Sequence, residues 1–312
     1  MNPMNTLIQK SDPSLPCFEV STKKVLRLRC DLLVIIGNNI AKFSAGTRIE
    51  LPAALVPGAD YAVYASGERL FADAYLSLPA AEITKIGGFH FAPGSNASGR
   101  DGGNSVPQIN PFSIWDLCWR PTCQDPRGMT LVGDWPLGRD RFWVDIYLCG
   151  VDGASRHGAT IADGRNHPKV PAMFGGDRSV EYDGLNCFQA AQLAAAAGKV
   201  LLTRDEFQAA AFGVLEQSSA SERHETTQLD APRTSKWGII QATGCRYVWG
   251  VVDPLQTFEG FDTKKDIGTN LLGGYWSNGS DAGSRCSYWS YAPWSSYCLV
   301  GARFRSDHLC LA

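Results

Sequence analysis

The chain has no long apolar run. Its most hydrophobic early stretch, Leu32 to Ile36, is far too short to cross a bilayer. The opening MNPMNTLIQKSDPSLPCF lacks the basic start and apolar core of a secretory signal, so a product made in the cytoplasm, with no membrane insertion, is expected. Charge of one sign is also missing: 29 Lys plus Arg stand against 31 Asp plus Glu, leaving nothing to neutralise phosphates and excluding nucleic acid as the main partner. No pair of cysteines has C-x2-C spacing, and the five histidines form neither H-x3-H nor HExxH, so no metal site is expected. The glycine-rich stretch 94–104 has no Gly-Lys-Ser/Thr end and reads as a surface loop rather than a phosphate cradle, and no cofactor is expected. Ten cysteines, spread singly in a long chain without an export signal, read as reduced, mostly buried thiols.

What is present points to a loop-rich, β-dominated protein: 44% apolar residues, enough for one large or two medium cores, with 32 glycines and 17 prolines. Residues 1–24 read as a tail or linker. From Val25 the pattern is β: Leu26-Arg27-Leu28-Arg29 alternates, Leu32 to Ile36 is a buried-type run, Gly37-Asn38-Asn39 is a turn, and Tyr61-Ala62-Val63-Tyr64 is another strand. Short strands at this spacing predict a small β-sandwich over 25–120. The region 121–312 holds the convincing helices. One is the alanine-rich 186–197, closed by Gly198-Lys199; the other opens on the capping box Thr203-Arg204-Asp205-Glu206 and presents Phe207, Ala210, Ala211 and Val214 on one face.

All nine tryptophans lie between Trp115 and Trp294, and the aromatic load culminates in 273–300. Nineteen of those 28 residues are Ser, Tyr, Trp, Gly or Asn, and only Asp281 and Arg285 are charged. Tyr and Trp supply large contact area with few rotatable bonds, while Ser, Gly and Asn supply adaptable hydrogen bonds, which is the chemistry of an antibody-like paratope. The segment is too polar for a core strand, and its tyrosines sit among serines rather than aliphatic neighbours.

Gly273-Gly274-Tyr275-Trp276, Gly283-Ser284-Arg285, Trp289, Pro293, Gly301-Ala302-Arg303 and Asp307-His308-Leu309 follow a GGxW…GSR…W…P…GAR…DHL frame. In this the chain resembles the variable proteins diversified by diversity-generating retroelements, and among them the receptor-binding proteins of phage tail fibres. Upstream blocks extend the resemblance, in order, over 25–311: Lys85-Ile86-Gly87-Gly88-Phe89-His90-Phe91, Asp125-Pro126-Arg127-Gly128, Phe174-Gly175-Gly176-Asp177 and Ser235-Lys236-Trp237-Gly238. The resemblance implies an α+β architecture, with the N-terminal β-sandwich followed by a C-type-lectin-like domain of the formylglycine-generating-enzyme type. It also implies a virion location, a bacterial surface protein or glycan as receptor, and a homotrimer. Only about 24 residues stand where the phage relative's β-prism would be.

Carrying the frame over without gaps, the resemblance assigns Tyr275, Ser277, Asn278, Gly279, Asp281, Tyr288, Ser290, Tyr291, Ser295, Tyr297, Leu299 and Val300 to the rewritten, ligand-binding set. All twelve are residues that adenine substitution in an AAC or AAT codon can reach, whereas Trp276 and Trp289 are not. The scaffold set is Gly273, Gly274, Trp276, Arg285, Trp289, Arg303 and Asp307. Trp276 and Trp289 are expected as buried supports, with Arg285 and Arg303 holding loop carbonyls or Asp307. Catalysis is not expected: Ser277 to Ala282 contains no cysteine pair, and no Ser/His/Asp set can be argued from spacing. Asp253-Pro254 lacks the Glu/Gln-Pro-Asn/Asp form of calcium lectins. A static or cell-surface lectin-like adhesin is the alternative reading.

Overall fold

Period-two alternation decides the first elements. In the strand Val25–Leu28 the side chains of Leu26 and Leu28 are fully buried, while Arg27 between them faces water and pairs with Glu19 at 2.7 Å. The partner strand is Phe18–Thr22, antiparallel. A computed structural model of the chain describes residues 6–36, 39–74, 83–133, 141–252 and 269–310, the side chains of Thr6, Ile36, Ser290 and Cys310 excepted. Residues 37 and 38 of the expected turn, and the Asp253-Pro254 dipeptide, lie outside that set.

The expected tail over 1–24 is corrected by the structure. Thr6–Lys10 pairs with Leu32–Ile36, which in turn pairs with Asn39–Phe43, and Cys17 and Phe18 have no exposure at all. The physical reason is that Ile8, Cys17 and Phe18 join Leu26, Val34 and Phe89 in one apolar cluster, so the segment buries too much surface to stay free. Lys10 fixes the same segment by an ion pair with buried Asp116 at 3.1 Å.

The largest sheet runs through both halves of the chain. It links Arg69–Asp73, Ala59–Ser66, Thr84–Ala92, Trp115–Asp116, Trp119–Pro121, Phe304–Cys310, Phe142–Asp145 and Met129–Val132 in that order. Gly87 sits where Thr84–Ala92 and Trp115–Asp116 meet, and a Cβ there would stand 2.4 Å from the Trp115 carbonyl oxygen, so only glycine permits the approach. Trp119–Pro121 straddles the expected 120/121 boundary and pairs with the last strand, so the two halves are stitched by main-chain bonds. A buried polar chain crosses the same junction: Asp60 Oδ1 lies 3.0 Å from His90 Nδ1, and His90 Nε2 lies 2.9 Å from the Tyr147 hydroxyl.

Both predicted helices form. Helix α1, Cys187–Ala196, starts on a capping box in which Asn186 and Gln189 satisfy each other's backbone N–H. Helix α2, Arg204–Ala210, starts on the Thr203/Glu206 box read from the sequence. Ala211 and Val214 lie past its end but remain buried with Phe207 and Trp237. The 94–104 loop differs in part from its expectation. Residues 98–101 and Asn104 are exposed as a surface loop's would be, but Ser95 and Ala97 are buried, and main-chain bonds from Ala97, Gly102 and Gly103 to the carbonyls of Ser235, Gly213 and Ala231 dock the loop's ends on the fold.

His308, on the last strand, carries a measurable consequence. Its ring stands edge-on to Trp119 with centroids 4.3 Å apart, and Trp143 Nε1 donates to its Nδ1 at 3.0 Å, so that nitrogen must be unprotonated. Burial, together with the Arg141 and Lys10 charges, lowers its pKa to about 4. An unfolded histidine titrates near 6.5, so the unfolded chain binds the proton first as pH falls. The stabilisation is complete above about pH 6.5 and is lost towards pH 4; discounted for partial exposure it amounts to about 1–2 kcal/mol. Urea melts at pH 7 and pH 4 should show His308→Asn, which keeps an acceptor for Trp143, losing less stability than the unaltered chain by that amount. Equal losses would show that His308 does not titrate this way.

Candidate functional site

The segment 273–300 closes against a small sheet in which Ser287–Tyr291, Thr269–Leu272, Tyr247–Trp249 and Val300–Gly301 are neighbours in that order. The turn leaving Thr269–Leu272 is made by Gly273 and Gly274, both left-handed at φ 92° and 82°. A Cβ on Gly273 would meet the Phe207 ring at 2.7 Å, so the Gly-Gly pair lets the loop lie directly on α2. Past the turn, Asn278 Oδ1 accepts the Tyr275 N–H at 2.7 Å, closing a tight loop. Ser219 donates to the Trp276 carbonyl and accepts from Gly279 N–H, while Glu216 accepts the Ser284 N–H and hydroxyl.

A bulge organises the tyrosines. Thr269 pairs with Tyr291 and Leu271 with Tyr288, so the three-residue step on one strand faces a two-residue step on the other. In a regular strand residues three apart point to opposite sides; the bulge brings Tyr288 and Tyr291 together, edge to face with centroids 5.6 Å apart. Tyr291 then packs on Tyr297 at 4.5 Å. In the other direction Tyr288 leads to Tyr247 at 6.2 Å, Tyr247 to Tyr275 at 5.5 Å, and Tyr275 to Trp276 at 5.1 Å. Six rings from four separate segments thus form one continuous array. Tyr288 and Tyr297 are 43% and 42% exposed, whereas Tyr275 and Tyr291 are half-buried. Burial, then the neighbouring Tyr288 and Tyr297 hydroxyls, raise the Tyr291 pKa, so its hydroxyl stays a neutral donor.

Of the sequence-assigned contact residues, Ser277, Gly279, Asp281, Tyr288 and Tyr297 are exposed, and Tyr275, Asn278, Tyr291, Ser295 and Leu299 are half-buried. The Ser290 side chain lies outside the described residues. Val300 is a correction: it has no exposure, pairs with Tyr247, and packs among Cys149, Trp249 and Phe304, because the strand it begins turns that side chain inward. The scaffold set also divides. Arg303 is fully buried and donates from Nη1 to the carbonyls of Asp145 and Ile146 at 2.7 Å each, and from Nη2 to those of Ile240 and Gln241 at 2.8 and 3.1 Å. Burial lowers its pKa to about 10, which leaves it charged at neutral pH. Asp307 is corrected as its partner: it is exposed and pairs with Arg305. Arg285 is corrected too, being exposed and holding no carbonyl among the described residues. Trp276 and Trp289 are half-buried rather than buried, because both lie on loop or edge backbone with one side open.

Two supports escaped sequence reading. The backbone at Cys245 bridges in parallel to Tyr275, so Arg246 and Tyr247 run beside Tyr275 and Trp276. The buried Arg246 guanidinium lies 4.7 Å from the Trp276 ring and is neutralised by buried Asp163, which also pairs with Arg223. Tyr247 fills the middle of the tyrosine array. Arg246 precedes and Tyr247 opens the strand Tyr247–Trp249, and a strand's pairing partner more than twenty residues away leaves no local trace.

The arrangement is a set of partly exposed aromatic rings on a backbone pinned from beneath. A family model described as "Mtd second domain" matches residues 18–116. The tail fiber receptor-binding protein of Bordetella phage BPP-1 is 36% identical over 340 residues, covering 99% of this chain and 86% of the relative. Solved structures of the Major Tropism Determinant are similar throughout. The U1 variant is 36% identical with a TM-score of 0.87, covering 97% of this chain and 86% of its own. The P3c variant is 37% identical with a TM-score of 0.88, covering 98% and 87%. The chain belongs to the major tropism determinant family. Like its tropism-determinant relatives it is mostly β with few helices, and the Bordetella phage relative is named a tail fiber receptor-binding protein. No helix among the described residues is long and apolar enough to cross a membrane.

Proposed function

We propose that the chain is the receptor-binding protein of a phage tail fibre, carried on the virion, whose 275–299 face docks on a bacterial surface protein or glycan without catalysis. The observation that carries this reading is the continuous array of tyrosines, with exposed rings flanked by serines and a backbone fixed from beneath. Within it, Tyr275, Ser277, Asn278, Gly279, Asp281, Tyr288, Ser290, Tyr291, Ser295, Tyr297 and Leu299 form the rewritten set, and Val300 belongs to the scaffold. The organisation is a β-sandwich-like part up to about residue 120, then a C-type-lectin-like part over 121–312. The separate apolar cluster drawn from residues 8–114 and the family match over 18–116 support that division. A homotrimer would multiply weak single contacts into avidity.

Purified chain should compete with phage carrying it for adsorption to a susceptible strain, and protease or periodate treatment of the cells should tell a protein receptor from a glycan. Adsorption that is indifferent to a saturating excess of the chain would rule out the receptor-binding role.

A further inference from the structure

Trp294 departs from the rest of its kind. Among the described residues every other tryptophan is buried or half-buried, whereas Trp294 is 55% exposed. A single exposed apolar residue is ordinary, but this one is not isolated and not loosely held. It sits between Tyr291 and Tyr297 in sequence, both members of the tyrosine array. Its loop is fastened on each side: Cys187 N–H donates to the Pro293 carbonyl at 2.9 Å, Ser295 N–H to the Ala292 carbonyl at 2.9 Å, and Leu185 N–H to the Ser296 hydroxyl at 2.8 Å. Gly164 then donates to the Tyr297 carbonyl at 3.2 Å, and a Cβ on Gly164 would stand 2.7 Å from the Tyr297 backbone, so the loop is clamped against a neighbour that has no side chain. The Cys187–Pro293 bond also sets Phe188, 54% exposed, next in chain to one partner as Trp294 is next to the other.

We propose that Trp294 is a further contact residue of the binding face, a preset anchor that inserts into an apolar side-chain pocket of a protein receptor, with Phe188 extending the same apolar border. This rests on the receptor-binding reading above. An indole presented on a pinned loop buries large area on contact without an ordering cost at the moment of binding, and tryptophan is the residue most enriched at interface hot spots. The surrounding Tyr and Ser chemistry favours a protein over a glycan, since it offers adaptable single hydrogen bonds and few carboxylates or amides to grip sugar hydroxyls in pairs.

The test uses the full chain and outer-membrane vesicles from the strain whose phage adsorption the chain blocks, measured by biosensor at low surface density. Trp294→Ala should weaken binding at least 20-fold, mostly through faster dissociation, with Tm unchanged because the side chain is exposed; Phe188→Ser should weaken it about 3-fold. Unaltered affinity for Trp294→Ala overturns the proposal. So does a loss that persists undiminished on protease-shaved vesicles, which would assign the contact to a glycan. The triple replacement of Tyr288, Tyr291 and Tyr297 by Ala serves as the control. If it binds normally while Trp294→Ala does not, the tyrosine face is misassigned and the Trp294 contact stands alone.

Discussion

Replacing Tyr288, Tyr291 and Tyr297 together by Ala should reduce single-site binding to the susceptible cell surface by at least about 100-fold, two hot-spot truncations at about 2 kcal/mol each already exceeding that figure. The three rings are joined edge to face and tilted, at 5.6 and 4.5 Å, so a ligand meets them as one surface and their removal is not three independent losses. Two of them are more than 40% exposed, and the fold draws little from them. Urea melting should therefore shift only by about 1–2 kcal/mol, the cost of partly buried aromatic area. Avidity can mask a weak single contact, so the measurement needs monovalent chain or sparse immobilisation. Binding that survives the triple replacement at low surface density would show that the face lies elsewhere.

Arg303→Met should be the most damaging single substitution in stability, at about 3–5 kcal/mol, because buried carbonyls lose a charged donor at about 1–3 kcal/mol each. The guanidinium joins two stretches of chain through four carbonyls, Asp145 and Ile146 on one side and Ile240 and Gln241 on the other. Gln241 holds a left-handed φ of 51°, a conformation that a glutamine keeps only when its surroundings impose it, and its carbonyl is one of the four. Met matches the length but takes the Arg303 donor from the carbonyls of Asp145, Ile240 and Gln241, whereas that of Ile146 keeps the Ile240 N–H at 2.9 Å. Lys should rescue little, because one ammonium cannot span both carbonyl pairs as a planar fork does. Equilibrium unfolding in urea is the measurement, and a midpoint equal to that of the unaltered chain would mean that backbone or water takes over these carbonyls.

Much of this molecule was legible because it is locally encoded. The Thr203/Glu206 capping box and the alternation in Val25–Leu28 each depend on residues within a few positions of one another, and each appears as read. The frame residues around 273–309 also disclosed the family, since spacing there is a property of the sequence itself. The failures share one cause. Residues 6–22 looked like a tail because their strands find partners at Leu32–Ile36 and Val25–Leu28 only once the chain has folded back. Val300 looked like a contact residue because its neighbours in sequence are, yet its pairing with Tyr247 turns it inward.

The sequence by itself determined that the C-terminal segment is Tyr- and Ser-rich and carries the frame of this family in a β-dominated protein, because composition and frame spacing need no third dimension. Only the tertiary structure decided which of those residues reach water and touch one another. A bulge opposite Thr269–Leu272 sets Tyr288 beside Tyr291, Tyr247 arrives from a distant strand to complete the array, and a clamped loop holds Trp294 out of the core that takes in most other tryptophans. Side-chain direction depends on register and on the far partner of each strand, and those are fixed by long-range packing rather than by any local pattern.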